Sequence, residues 1–172
     1  MANAQRLAHQ AKRLVDTLLE QTEEEQREGK KIIEEDQAFK RNYKLLVSIP
    51  GIGHVTAIYL IGCTANFAGN PSGKQLACYA GVAPFEHSSG ISIKGKTRVH
   101  RMANKELKRL LHLCALSAIQ YNQELKTYYH RKKDEGKHSM AVLNAVRNKI
   151  VLRVAAVINS KTPYKNNYKI AA

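Results

Sequence analysis

The chain has 172 residues and a formal charge of +14, with 28 Lys and Arg side chains against 14 Asp and Glu. It contains no signal peptide and no apolar run long enough to span a bilayer, and its three cysteines lack pairing or CxxC spacing. The seven histidines are dispersed, so no cluster has metal-ligand spacing. These features predict a cytoplasmic protein with reduced thiols, no membrane partner and no metal site.

The positive charge is concentrated in one half of the chain. Residues 94–172 carry 18 Lys and Arg side chains against 4 Asp and Glu, whereas residues 1–42 carry 8 against 9. A basic half of this size favours a polyanionic partner, and we expect DNA. The alternative is a basic surface that is merely solvated, which the magnitude of the charge makes the weaker interpretation.

Residues 1–42 are predicted to form a coiled-coil-like helical segment. The apolar positions Leu7, Ala11, Leu14 and Leu18 alternate steps of four and three, as in a coiled-coil seam. A mostly polar helix cannot bury itself, so the segment is expected to pair with a second copy of the chain as a homo-oligomer. The alternative is a surface helix packed on its own domain.

The segment Ser48–Gly53 predicts a tight turn between two helices. Pro50 and Gly51 end the first helix, and Ile49 and Ile52 are expected to tuck under the turn. Backbone N–H groups at the start of the second helix would then face outward and bind a phosphate, as in a helix-hairpin-helix. The alternative is a plain helix–helix corner with glycine for packing. The residues predicted to contact DNA here are Gly51, Ile52, Gly53 and His54.

Further helices follow along the chain. A turn at 70–73 precedes a short helix over 74–80, and Asn104 is a predicted N-cap for an amphipathic helix reaching Tyr128. A final helix spans roughly Ser139–Asn159, and the tail after Pro163 is expected to be loose. Its predicted inward face is Ala141, Ala145, Ile150 and Val154, and its predicted wetter face is Arg147, Lys149 and Arg153. The fold class is therefore mainly α.

The segment 85–101 is where chemistry could occur. It is predicted to be a loop or a brief hairpin that bends at Gly90 and Gly95. Three hydroxyls lie beside His87, and cations follow within fifteen positions, as a serine attacking a phosphodiester would need. The alternative, which the residues alone favour, is a polar clamp that only holds phosphates. The hydroxyls are Ser88, Ser89 and Ser92; the predicted DNA-binding cations are Lys94, Lys96, Arg98 and Arg101, with Lys105, Lys108 and Arg109 in the next helix.

The order and spacing of several motifs across residues 43–160 resemble one known family. The motifs are Ser48-Ile49-Pro50-Gly51-Ile52-Gly53, Thr56-Ala57, Phe67, Lys74 to Pro84, Ser89-Gly90 and the helix Asn104–Leu111. They look like the C-terminal half of insertion-sequence transposases that have a RuvC-like DEDD domain, a coiled coil and a serine-bearing domain, also described as bridge-RNA-guided recombinases. Residues 1–42 resemble the end of the coiled coil only in character. Where the family often shows Leu-Arg, this chain has Leu107-Lys108-Arg109.

The resemblance implies a site-specific DNA recombinase. In the family the serine of the Ser-Gly motif attacks DNA and forms a phosphoserine link, which here implies Ser89 as catalytic residue, with Ser88 as its competitor. Lys94 and Arg98 would neutralise the scissile phosphate. The magnesium-binding carboxylates and most guide-RNA contacts belong to the RuvC-like domain, so no cofactor is expected in this chain, and the chain alone is not expected to complete transposition.

The predicted organisation is residues 1–42 as a coiled-coil-like segment, residues 43–160 as the transposase C-terminal domain and residues 161–172 as a flexible tail. Two other functions stay open at this point. One is a non-catalytic helix-hairpin-helix module that binds DNA, and the other is a coiled-coil interaction protein with incidental basic charge.

Overall fold

A computed structural model describes residues 12–13, 17, 20–25, 27–29, 31, 34–83, 85–89, 93–98 and 103–166. For 85–89 and 93–98 it describes the backbone only. The chain divides into two compact units, Met1–Lys40 and Arg41–Ala172. In the first unit residues 20–25 and 27–29 are helical, and their described side chains are mostly exposed. The predicted seam at Leu7, Ala11, Leu14 and Leu18 lies outside the described residues.

From Gln37 onward the described residues are mainly helical, as the sequence predicts, and they include a two-stranded antiparallel sheet. In chain order the elements are α1 (Gln37–Val47), α2 (His54–Cys63), α3 (Gly73–Tyr79), β1 (Phe85–Ser89), β2 (Ile93–Arg98), α4 (Lys105–Tyr121), α5 (Gln123–Asp134) and α6 (Ser139–Ser160). Of the two alternatives for 85–101, the strands confirm the hairpin.

The long helix α6 is the centre of the core. It contacts α3, α4 and α5, and ten of its residues are buried. It approaches α3 closely, because a Cβ built on Gly73 would lie 2.7 Å from Leu152 Cδ2. Burial on several sides explains why α6 is apolar around most of its circumference rather than along one stripe.

Local capping sets where two of the predicted helices begin. Ser72 and Gln75 form a capping box at the start of α3, in which the Gln75 backbone N–H donates to Ser72 Oγ and the Ser72 N–H donates to Gln75 Oε1. The Asn104 side chain accepts from the Leu107 N–H at 2.9 Å, which confirms the predicted N-cap of α4.

The prediction of a single amphipathic helix from Asn104 to Tyr128 is wrong, because the structure has two helices in this range. The helix is interrupted at Asn122, whose backbone is extended and ends α4. The Asn122 side chain caps α5 by accepting a hydrogen bond from the Leu125 N–H at 3.0 Å. Asn122 is 4% exposed, whereas its neighbour Tyr121 is 85% exposed. An asparagine side chain that caps a new helix competes with continuation of the preceding helix. The spacing of apolar residues does not reveal this competition.

The predicted faces of α6 need three corrections, one of which is Arg153, whose side chain is only 14% exposed and pairs with Glu124. Ala141 is exposed rather than inward, and Arg147 is buried rather than on the wetter side. Ile150 and Val154 are buried as predicted. A helix packed against three others has more than one inward face, which a single stripe read from the sequence cannot represent.

The segment after α6 is not loose at Tyr164, contrary to expectation. The Tyr164 backbone N–H donates to Ser48 Oγ at 2.8 Å, its hydroxyl donates to Glu124 at 3.4 Å, and the Arg153 guanidinium lies 4.8 Å from its ring. An aromatic ring with a polar tip can bury its body while the hydroxyl stays bonded, so a single tyrosine holds this part of the chain. Among the described residues no helix combines the length and apolarity needed to cross a membrane.

Candidate nucleic-acid interface

The turn between α1 and α2 has the packing that the sequence predicts. Ile49 and Ile52 are 1% and 6% exposed, so both side chains lie under the turn. The Ile52 N–H donates to the Ile49 carbonyl at 3.0 Å, which closes it. Ile52 can therefore meet a ligand only through its backbone.

Gly51 is required by both its conformation and its neighbours. Its φ is +91°, a region that favours glycine, and a Cβ placed there would lie 2.4 Å from the Cys114 carbonyl oxygen and 2.8 Å from Ala118 Cβ. The turn thus rests directly on the backbone of α4. This close approach is the packing role that the plain-corner interpretation assigns to the glycine.

The start of α2 carries no side-chain cap. Gly53 is the N-cap, is exposed, and has nothing within 4 Å of a built Cβ. An uncapped helix start of this kind can accept an anion. Its backbone does not all face outward, however, because the Gly53 backbone forms a hydrogen bond with the buried Cys114 thiol. That thiol also donates to the Thr56 side-chain hydroxyl at 3.3 Å, and burial raises the pKa of Cys114 despite these bonds.

His54 ties the two helices of the turn together. The Tyr43 hydroxyl and His54 Nδ1 lie 2.8 Å apart, and the two rings meet edge to face with centroids 5.5 Å apart. The half-buried His54, which sequence reasoning assigned to DNA contact, therefore also stabilises the corner.

The hairpin places the predicted serine segment opposite the predicted cations. Ser88 lies opposite Lys94, Ser89 opposite Ile93 and His87 opposite Gly95. Directly opposed residues of an antiparallel pair share one face of the ribbon. Ser88 is therefore the serine paired with Lys94 in the strand register, whereas Ser89 is paired with Ile93 at the next position.

The register changes toward the open end of the hairpin. Phe85 pairs with Arg98, and an irregularity separates this pair from His87, where β-bulges commonly re-aim side chains near functional sites. Gly95, predicted at a bend, lies instead within β2. Gly90, at the other predicted bend, and Arg101 lie outside the described residues.

The first turns of α4 carry the next three predicted cations. Lys105 is exposed and Lys108 half-buried, while Arg109 forms an ion pair with Glu106 within its own helix. The hydrogen bond from Arg109 is the main reason that the pKa of Glu106 is lowered. The charge that Arg109 offers to a ligand is partly neutralised, which the sequence did not reveal.

A polar network that sequence reasoning missed fixes the start of α4. Asn104 accepts from the Tyr59 hydroxyl at 3.1 Å, donates from Nδ2 to the Tyr79 hydroxyl at 2.9 Å, and donates its backbone N–H to the Tyr79 carbonyl. The network joins α2 and α3 to the start of the basic helix. The capping pattern identified Asn104, but no local signal in the sequence linked it to the tyrosines.

The residues that the structure describes contain no cluster of side chains suited to binding magnesium. No group of three or more His, Cys, Asp or Glu side chains there could hold a metal ion. Glu106, Glu124 and Glu135 are instead paired with basic side chains. These residues do not fit a magnesium site.

Comparisons with known proteins identify a family and several relatives. Residues 43–130 match the model of the transposase IS116/IS110/IS902 family. The chain is 35% identical over 123 residues to an insertion element IS110 protein of 43.6 kDa from Streptomyces coelicolor, covering 71% of this chain and 30% of that protein. It is 32% identical over 127 residues to a pilin gene-inverting protein from Moraxella lacunata, covering 72% of this chain and 39% of that protein.

A third relative is an insertion element IS900 protein of 42 kDa from Mycobacterium paratuberculosis, 34% identical over 121 residues, with 69% of this chain and 30% of that protein covered. The chain thus spans well under half the length of these relatives. The family match contains the turn, the hairpin and α4. Together these similarities show that the chain belongs to the transposase IS116/IS110/IS902 family.

Proposed function

We propose that this chain is the DNA-binding, serine-bearing part of a transposase that recombines DNA at specific sites. The observation that carries the proposal is the family match over residues 43–130, a range that includes both the Ser88-Ser89 hairpin and the predicted phosphate-binding turn. The pilin gene-inverting relatives, whose names state a DNA inversion, support recombination as the reaction class.

The proposed chemical step is a transesterification at phosphorus. Ser89 Oγ attacks a DNA phosphodiester, so that an O–P bond forms to the serine and the bond from phosphorus to one deoxyribose oxygen breaks. The serine proton is lost to a base, and the departing oxygen is protonated to a hydroxyl, so atoms and charge balance. Lys94 and Arg98 would neutralise charge on the phosphoryl oxygens.

DNA would be held mainly through its phosphates. The uncapped start of α2, with Gly51, Ile52, Gly53 and His54, offers backbone contacts. The cations of β2 and α4 would add charge–charge contacts that position the duplex without reading its sequence.

Three finer parts of the proposal extend beyond this domain. A second copy of the chain would associate through residues 1–42, and the working protein would act inside the cytoplasm. Magnesium and a guide RNA would be bound through a RuvC-like domain of a longer protein, so this chain itself would need no cofactor.

Two measurements test the proposal. Fluorescence anisotropy with a labelled duplex at 50 to 200 mM salt should show an affinity that falls as salt rises, because phosphate contacts release counterions. Incubation with a nicked duplex, together with a RuvC-like partner domain, followed by denaturing electrophoresis, should reveal a covalent adduct. Ser89→Ala should abolish the adduct, and Ser88→Ala is the matched control.

The outcomes separate the alternatives. An adduct that persists in Ser89→Ala and disappears in Ser88→Ala would move the nucleophile to the position opposite Lys94. Salt-dependent binding without any adduct would favour the second candidate, a non-catalytic helix-hairpin-helix module, which the uncapped start of α2 supports. Absence of DNA affinity at low salt would refute both.

A further inference from the structure

Arg147 in α6 is a buried cation that forms no ion pair with the residues whose side chains the structure describes. It is 6% exposed, and its Nε is among the buried nitrogens that make no hydrogen bond. Burial lowers its pKa, yet a guanidinium stays protonated in proteins, so the charge persists inside the fold. An uncompensated buried charge is strongly unfavourable, and an arginine kept in such a place needs an anion.

The same helix provides a direct comparison in Arg153. Its guanidinium donates to Glu124 at 2.7 Å and lies over the ring of Tyr164, so this cation has both a carboxylate and an aromatic face. The side chain of Arg153 is 14% exposed, so it too is largely enclosed, and its Nη1 also makes no hydrogen bond. The difference between the two arginines is the carboxylate: Arg153 is paired with Glu124, whereas Arg147 forms no ion pair among the described residues.

The carboxylates of residues 103–166 do not supply that anion. Glu106 is paired with Arg109, Glu124 with Arg153 and Glu135 with Lys132, while Asp134 is exposed. An anion from outside this part of the fold is therefore needed to compensate the charge.

The position of Arg147 along α6 indicates where this anion would lie. Asn144 is one turn earlier on the same helix, and its Nδ2 donates to the Val82 carbonyl at 3.0 Å. Residues three apart on a helix share a face, and Val82 precedes β1 by three residues. Arg147 thus lies on the side of α6 that meets the chain entering the serine hairpin.

We propose that Arg147 is a phosphate-binding residue, which takes the DNA phosphate brought to the base of the hairpin. The inference rests on the proposed function, because the anion it names is the backbone of the DNA substrate. A phosphate would supply both the missing negative charge and acceptors for the N–H groups of the guanidinium, in the bidentate arrangement that arginine favours.

The test compares Arg147→Met with Arg153→Met. Methionine removes the charge and keeps an unbranched apolar chain. We expect Arg147→Met to melt at or above the temperature of the wild-type chain, because it removes an uncompensated charge. Its affinity for a duplex should fall about tenfold or more, and the slope of log affinity against log salt should fall by about one. Arg153→Met should lower the melting temperature, because it leaves Glu124 without its cation.

Two results would overturn the inference. A lower melting temperature in Arg147→Met would show that Arg147 has a partner within the chain. A double-mutant cycle with Glu86→Gln would then test whether Glu86 in β1 is that partner. Wild-type affinity and salt slope in Arg147→Met would show that no phosphate binds there. If the wild-type chain itself lacks salt-dependent binding, the proposed function is refuted. If the wild-type chain binds DNA and Arg147→Met binds equally well, only the inference about Arg147 is refuted, so the two failures are distinguishable.

Discussion

Replacing Gly51 with alanine should destabilise the domain through two separate effects. The φ of +91° is unfavourable for any residue with a Cβ, and the added carbon would approach the Cys114 carbonyl oxygen to 2.4 Å. That oxygen belongs to the backbone of α4, so the contact cannot be relieved by a rotamer change. Either the turn or the helix must move.

The size of the effect follows from these two terms. A left-handed conformation costs alanine about 1–2 kcal/mol, and overpacking against backbone costs about 1–3 kcal/mol. We expect a loss of about 3 kcal/mol in the free energy of unfolding. For a unit of roughly 130 residues this corresponds to a fall of about 10 °C in melting temperature.

Calorimetry or thermal circular dichroism measures the change, with Gly62→Ala as the matched control. Gly62 lies in α2, is exposed, and has nothing within 4 Å of a built Cβ, so alanine should stabilise by about 0.5 kcal/mol through helix propensity. The two substitutions should therefore have opposite signs. A melting temperature of Gly51→Ala within about 2 °C of wild type would refute the packing argument.

Three other predictions concern α4 and α5. Asn122→Ala should cost about 1–2 kcal/mol of unfolding free energy by urea titration, because it removes the cap on Leu125; a cost near zero would contradict the assigned cap. Glu106→Gln should increase DNA affinity at low salt by anisotropy, since Arg109 loses its intrahelical partner; unchanged affinity would place Arg109 away from the DNA. Burial raises the pKa of the Cys114 thiol, so the thiol should resist alkylation in the folded chain. Its contribution to stability should be complete below the pKa of the unfolded state and should be lost as pH rises through the higher pKa of the folded state. Rapid labelling of this cysteine in mass spectrometry at neutral pH would contradict its burial.

The elements that the sequence predicted well are those with a local cause. The turn at Ser48–Gly53 follows from Pro50 and two glycines, and the start of α4 follows from Asn104. The bounds of α6 agree with prediction to within a residue or two at its C-terminal end. In each case a residue acts on its immediate neighbours through a fixed φ, a missing Cβ or a side-chain cap, so the linear order of residues carries the information.

The features that were mispredicted or missed depend on contacts distant in sequence. Arg147 is buried although its neighbours suggested a wetter face, because α6 packs against three helices at once. Tyr164 is bound to Ser48 across 116 positions of the chain.

The sequence by itself determined a mainly helical, strongly basic chain with a glycine turn and a serine segment, because composition, periodicity and turn chemistry are local properties. Only the tertiary structure decided that Gly51 rests on the backbone of α4, that Ser88 stands opposite Lys94, and that Arg147 is buried with no carboxylate of residues 103–166 paired to it. These three facts depend on which surfaces meet. Strand register and helix packing are set by the burial of many side chains together, so no short stretch of the sequence encodes them.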